Sequence, residues 1–354
     1  AVDYMYNHRI QGCTFIVCNT DSQSLKKSHV PIKIQLGSGL GAGCNPREGR
    51  NAALSSQQEI EEKVLNTKTD MLFITAGMGG GTGTGAAPVI AAMAKNKGIL
   101  TVGVVTIPFK NEGNESMSKA IDGIYELQKN VDSILIINNE KIYTHYGSLL
   151  VHEAFPKTDE VLATAVQGIT EIINKPGYVN VDFKDVKAMM TDSGMALMGC
   201  GKGEGENRIK DAVESALASP LLNDFDIKTA KNVLINITCG YNEKGLLMDD
   251  LAEIDRLMTE QLGETANRFK RGIVYEMDPD FADKVSITVI ATGFEMKRLN
   301  EITNVKLGNI IEIDSNFTYE KGSSTGSECL IQNEPTSQKI GFNSASIKTT
   351  FDFG

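Results

Sequence analysis

Apolar residues along this chain follow two patterns. Short continuous runs at residues 15–18 (FIVC), 71–74 (MLFI), 98–106 (GILTVGVVT) and 133–137 (SILII) read as strands buried on both faces, as in a parallel sheet. Residues 32–36 alternate and predict a further strand. Between these runs, residues 1–9, a stretch starting at Asn51, residues 55–66 and residues 117–129 read as helices. A longer helix is predicted over 155–174, where Val161, Leu162, Ala165, Val166, Ile169, Ile172 and Ile173 recur at helical spacing and Pro176-Gly177 ends the pattern. Beyond it come helices over 183–193 and 207–218, an apolar run at 196–198, β-branched strands at 232–238 and 285–292, and an amphipathic helix at 248–262. The reading is α/β throughout, with two units joined by the long helix. From residue 295 the chain turns Ser-, Thr- and Asn-rich, which predicts a variable, mobile tail over 295–354.

The pattern breaks most informatively at residues 77–85. The run 71–74 leads into Gly77, Gly79, Gly80, Gly81, Thr82, Gly83, Thr84 and Gly85, and Ala86-Ala87-Pro88 then opens an apolar helical stretch. Glycines let backbone N–H groups face an anion unobstructed by Cβ. The positive end of the following helix dipole points to the same place. Pro88 suits the first turn of that helix, where its missing N–H would have no partner anyway. A P-loop is excluded, because no lysine lies between Met71 and Ala94. Gly81, Gly83 and Ala86 satisfy the dinucleotide fingerprint of an NAD-dependent oxidoreductase. The next strand, however, ends in Ile107-Pro108 without the acid that would hold a ribose.

Composition narrows the class. A net charge of −10 argues against a nucleic-acid partner. No run of eighteen apolar residues suggests a membrane span, and residues 1–10 lack the pattern of a signal peptide. The 6 cysteines are scattered without a C-x-x-C, which points to reduced thiols in the cytoplasm. The 4 histidines form no metal-spaced cluster, so no metal ligand is assigned.

The intact string GGGTGTG at 79–85 resembles the signature of tubulin-like GTPases. From its first residue to about Phe294 the chain resembles the FtsZ family of bacterial cell-division GTPases, and segments such as PGYVNVDFKDV and SPLLNDFDI are similar to the Bacteroidetes type. The resemblance implies a Rossmann-type GTP-binding domain over 1–154, a central connecting helix over 155–177, and a second α/β domain with the catalytic loop over 178–294. It also implies GTP/GDP with Mg2+, self-association into head-to-tail filaments, division adaptor proteins as partners, and a cytoplasmic location at midcell.

By that resemblance the nucleotide is met by Asn19 and Asp21, by Gly41, Ala42 and Gly43 at the γ-phosphate, and by Gly79, Gly80, Gly81, Thr82, Gly83, Thr84 and Gly85. Glu112 and Asn139 fall at the ribose, and Phe155 and Asp159 at the guanine. Asn180, Asp182 and Asp185 fall in the catalytic loop, which enters the site of the next subunit. The residues alone leave other roles open. Asn19 to Asp21 also suits a turn or cap, Phe155 and Asp159 suit a core residue and a first-turn acid, and Asp182 with Asp185 suits a capping pair.

The chain departs from the family in several places. Ser116 stands where the family carries an arginine, Glu115 stands where it carries a lysine, and the segment between Leu36 and Gly41 is short. These departures keep open a non-hydrolysing paralogue that binds nucleotide and assembles. The family's first strand and first glycine loop would precede Ala1, and without them weak GTP binding or misfolding is expected. The adaptor-docking Ile-Pro-x-Phe-Leu peptide does not occur in the tail.

Overall fold

The continuous apolar runs form strands paired in parallel and divided between two sheets. The computed structural model describes residues 1–66, 68–141, 148–175, 177–219, 229–262, 268–277, 281–294, 311–313 and 319–321. In chain order the first elements are α1 (Val2–Asn7), β1 (Ile16–Asn19), α2 (Ser22–Lys27), β2 (Ile32–Gln35), α3 (Pro46–Ser55) and α4 (Gln57–Lys63). Next come β3 (Met71–Gly77), α5 (Thr82–Asn96), β4 (Leu100–Ile107), α6 (Asn114–Asn130), β5 (Ser133–Asn138) and the long helix α7 (Val151–Asn174). The later elements are α8 (Phe183–Met190), β6 (Gly194–Glu204), α9 (Arg208–Leu217), β7 (Asn232–Gly240), α10 (Met248–Leu262), β8 (Arg268–Glu276) and β9 (Lys284–Phe294).

Strands β1 and β2 pair in parallel as a two-stranded sheet. The main sheet has 7 strands in the order β3-β4-β5-β6-β9-β7-β8. It is parallel from β3 to β6, and β9 then pairs antiparallel with both β6 and β7. The joint between the two parts is narrow: β5 meets β6 only at Ser133–Gly194 and Ile134–Met195, beside a register shift at Met195/Ala196. One core lies beneath β4 and β5, where α7 buries Leu162, Val166, Ile169 and Ile172. Full burial of each such side chain contributes about 1.5–3 kcal/mol. A second core lies under β6, β7 and β9 and is closed by Ile209 and Val213 of α9 and Ile254 and Met258 of α10.

The structure corrects several element boundaries. Helix α5 begins at Thr82, so Pro88 lies inside the helix and not in its first turn. Helix α3 begins at Pro46 and not at Asn51, because Asn45 caps it by accepting from the Arg47 N–H and Pro46 supplies a preset first residue. The run at 196–198 lies in the first half of an 11-residue strand, β6. Strand β8 has no counterpart in the sequence reading. It is one of the two edge strands of the sheet, with its first residues exposed.

Residues Ala1–Val305 form one unit and Lys306–Gly354 another. In the second unit, β10 (Ile311–Ile313) and β11 (Tyr319–Lys321) pair antiparallel. The rest of the tail expected to be mobile lies outside the described residues. Among the described residues, no helix is long and apolar enough to cross a membrane.

Candidate functional site

Parallel strands deliver their following loops to one end of a sheet, and here five such loops meet. The loop after β1 is fixed to the loop after β2: the Gly41 N–H donates to the Thr20 carbonyl at 2.8 Å and the Ser22 N–H to the Gly39 carbonyl at 3.0 Å. The buried Thr20 also joins the glycine loop, with its hydroxyl 2.5 Å from that of Thr82. The sequence reading singled out Asn19 and Asp21 and passed over Thr20, although its place in the polar loop ending β1 was visible. Asp21 caps α2, and the Ser24 hydroxyl and the Gln23 N–H hold its carboxyl below the usual carboxylate range.

The glycine loop divides into an outer and an inner part. Gly79 has φ +105°, a backbone that side chains rarely adopt, and Gly80 is exposed with open space around it. Thr82 and Gly83 are half-buried at the start of α5, which has no side-chain cap, so first-turn N–H groups remain for an anion. Thr84 and Gly85 lie behind this edge. The Thr84 hydroxyl accepts from the Gly79 N–H at 2.9 Å, and a side chain at Gly85 would strike the Pro46 carbonyl of α3. The last two of the expected phosphate residues are therefore buried, and they set the shape of the loop and the packing of α3 on α5. Gly81 is also buried, against Ala42 and the Asn45 backbone, which brings the loop of Gly41, Ala42 and Gly43 alongside.

On the far side of the crevice, the Ser116 carbonyl lies against Gly79. Glu112 accepts from the Phe109 N–H at 2.8 Å and is exposed. Asn139 stands out: its side-chain oxygen is buried and has no hydrogen-bond partner. Such an atom costs on the order of 1–3 kcal/mol unless something supplies a donor, so it fits a ligand hydroxyl. Asp159, near the start of α7, lies 2.9 Å from the Ala1 nitrogen. The side chain of Phe155 lies outside the described residues.

Asn180, Asp182 and Asp185 are not brought to this crevice. The buried Val181 anchors their loop, while Asn180 and Asp182 are exposed. Asp182 caps α8 through the Asp185 N–H at 2.8 Å, and Asn180 accepts from the Gly177 N–H at 2.6 Å. The strand missed in the sequence holds the loop: Val179 and Ile273 of β8 exchange backbone hydrogen bonds, and Lys270 of β8 pairs with Asp185 at 2.9 Å. Helix α8 lies at the opposite end of the sheet from the glycines, since Lys187 donates to the Gly98 carbonyl, just ahead of β4. The 8 residues of β4 alone separate the two ends by roughly 25 Å. Beside the acid loop, Tyr178 (78% exposed) and Tyr241 (65% exposed) flank Tyr275, with ring centroids 5.9 and 5.1 Å from it.

A parallel sheet with this glycine edge at its carboxyl end, joined through a long helix to a second mixed-strand half, defines a tubulin-like GTPase. Residues 1–147 match the Tubulin/FtsZ family GTPase domain and residues 194–295 the FtsZ family C-terminal domain. The chain is 44% identical over 317 residues to the cell division protein FtsZ of Porphyromonas gingivalis, covering 88% of this chain and 68% of that protein. It is 47% identical over 300 residues to that of Azotobacter vinelandii, covering 83% and 74%. An FtsZ dimer structure from M. jannaschii superposes with a TM-score of 0.73 at 38% identity, covering 82% of this chain and 84% of that one. The chain belongs to the FtsZ family of cell-division GTPases, and nothing in these relationships favours the dinucleotide alternative.

Proposed function

We propose that this protein assembles head to tail, and that GTP held in the glycine crevice of one copy is hydrolysed with the acid loop of the next. The observation carrying this reading is the separation of the two half-sites. The crevice has phosphate-facing backbone and the orphaned Asn139 oxygen, while Asp182 stands exposed and Asp185 half-buried against Lys270 at the other end of the sheet. A second copy can bring them together. A contact between two different surfaces repeats without closing and yields a filament.

In this reading the outer glycine edge and the first-turn N–H groups of α5 bind the phosphates, and Asn139 takes a ribose hydroxyl. Asp185 of the adjoining copy, with Asp182 and Asn180, orients the attacking water and accepts its proton. Among the described residues, no group of three or more His, Cys, Asp or Glu could cage a metal ion. Mg2+ would be held mainly through phosphate oxygens and water. Asp21 is the carboxylate that would help hold Mg2+ there, and the bound ion would neutralise developing phosphate charge. The exposed tyrosines beside the acid loop supply the amphipathic contact area that interfaces favour. Loss of the γ-phosphate would then weaken the junction and couple assembly to the nucleotide. Family membership supports division adaptors as partners and a midcell location as further parts of this reading.

Turnover measured across a dilution series tests this. Activity per copy rises with protein concentration if the site is shared, and GTP but not NAD protects the crevice. Turnover per copy independent of concentration would contradict it.

A further inference from the structure

We propose that Lys119 is a positioning residue that gives the crevice its preference for a nucleoside triphosphate over a diphosphate, by holding the loop of residues 41–45 beside the glycine loop. The inference rests on reading the crevice as a GTP site. Ser116, Lys119 and Gly123 follow one another at three- and four-residue steps along α6 and share a face. That face is turned to the glycine loop, with the Ser116 carbonyl against Gly79 and Gly123 against the Thr84 methyl. From between them Lys119 reaches out, and its Nζ donates to the Cys44 carbonyl at 3.0 Å. Cys44 sits at φ 57°, in the left-handed region, so the direction of its carbonyl depends on what holds it there. The same short loop packs Ala42 and the Asn45 backbone against Gly81.

Lys119 thus ties α6 to the loop after β2, and that loop in turn packs on the glycine loop. Lys119 carries a positive charge there, while Ser116, one turn earlier, carries none. Its second partner, Glu115 at 2.6 Å, is 82% exposed, whereas the Lys119 side chain is only 28% exposed. The cation is the fixed member of the pair, and the carboxylate is its solvent-side counterion. A triphosphate brings more negative charge to this rim than a diphosphate. Removal of a cation that also fixes the loop therefore penalises the triphosphate selectively.

The test compares Lys119→Met and Lys119→Arg with the unaltered protein, measuring GTP and GDP affinities by equilibrium dialysis after nucleotide removal, with thermal midpoints recorded alongside. The account predicts that Lys119→Met loses about tenfold in GTP affinity and less than about twofold for GDP. Lys119→Arg keeps the original ratio, and both variants unfold near the original midpoint. An unchanged GTP/GDP ratio in Lys119→Met, or an equal loss of both nucleotides, overturns the proposal. If the unaltered protein binds neither nucleotide, the reading of the crevice itself falls, and that result is separate from any behaviour of the variants.

Discussion

The two regions proposed as half-sites are built in opposite ways. The inner part of the glycine crevice is made of short loops pressed together until side chains have no room: Gly81 lies on Asn45, Gly85 on the Pro46 carbonyl, and Thr84 is folded back onto Gly79. The acid loop is exposed, strapped by two residues of backbone to an edge strand and by the Lys270–Asp185 pair. The first construction preorganises a binding surface and resists change. The second presents chemical groups outward and leaves their partner to arrive. A site completed within one copy would not need its carboxylates at the far end of the sheet.

If this contrast holds, damage to each half has a different signature. The largest effect is expected from Asp185→Ala, which should cut GTP turnover by at least about a hundredfold while leaving GTP binding by equilibrium dialysis unchanged. A parallel loss of binding would erase the distinction between the halves. Asp185 is a cleaner probe than Asp182, whose side chain also caps α8. Gly85→Val should act in the opposite way. It forces a side chain into the α3 backbone and should lower stability by about 3 kcal/mol, read as a drop in the urea midpoint. A midpoint within error of the original would mean that the inner glycines are not packing residues.

A smaller effect is expected at the tyrosines beside the acid loop. Tyr241→Ser should raise the critical concentration for assembly about tenfold, seen by light scattering, without altering GTP affinity. Unchanged assembly would remove this patch from the proposed junction. The mildest probe is alkylation near pH 8. Cys44 is exposed on the crevice rim, whereas burial pushes the Cys18 thiol up to about 11. The thiolate is the reactive form, so Cys44 should label first and GTP should slow it. Equal labelling of Cys18 would indicate a looser N-terminal half.

The same contrast governs what the sequence disclosed. Strand β4 was legible because both its faces are buried along its whole length, so it reads as an unbroken apolar run; β1 and β3 carry the same kind of run although they are mostly half-buried. Strand β8 was not. It is an edge strand whose Arg268, Phe269 and Lys270 face solvent, so neither continuous apolarity nor alternation marks it. Its role in holding Val179 and Asp185 went unseen with it. The glycines were legible as a phosphate loop, but their division was not, because close packing against α3 depends on residues more than thirty positions away. For the same reason Thr82 to Gly85 read as loop and Pro88 as a first-turn residue, when the helix already begins at Thr82. The sequence likewise could not assign Lys119, since its partner Cys44 is distant along the chain.

The central claim is that one copy supplies the crevice and another the acids, and mixing two disabled copies tests it most directly. Asp185→Ala keeps the crevice. Gly80→Asp places a carboxylate at the phosphate edge, where a side chain meets nothing within 4 Å, and keeps the acid loop. Each variant alone should be nearly inactive. Mixed in equal amounts, they should regain about a quarter of the original turnover, the share of junctions that pair an intact crevice with an intact acid loop. Turnover of the mixture no greater than that of the separate variants would contradict a site shared between copies.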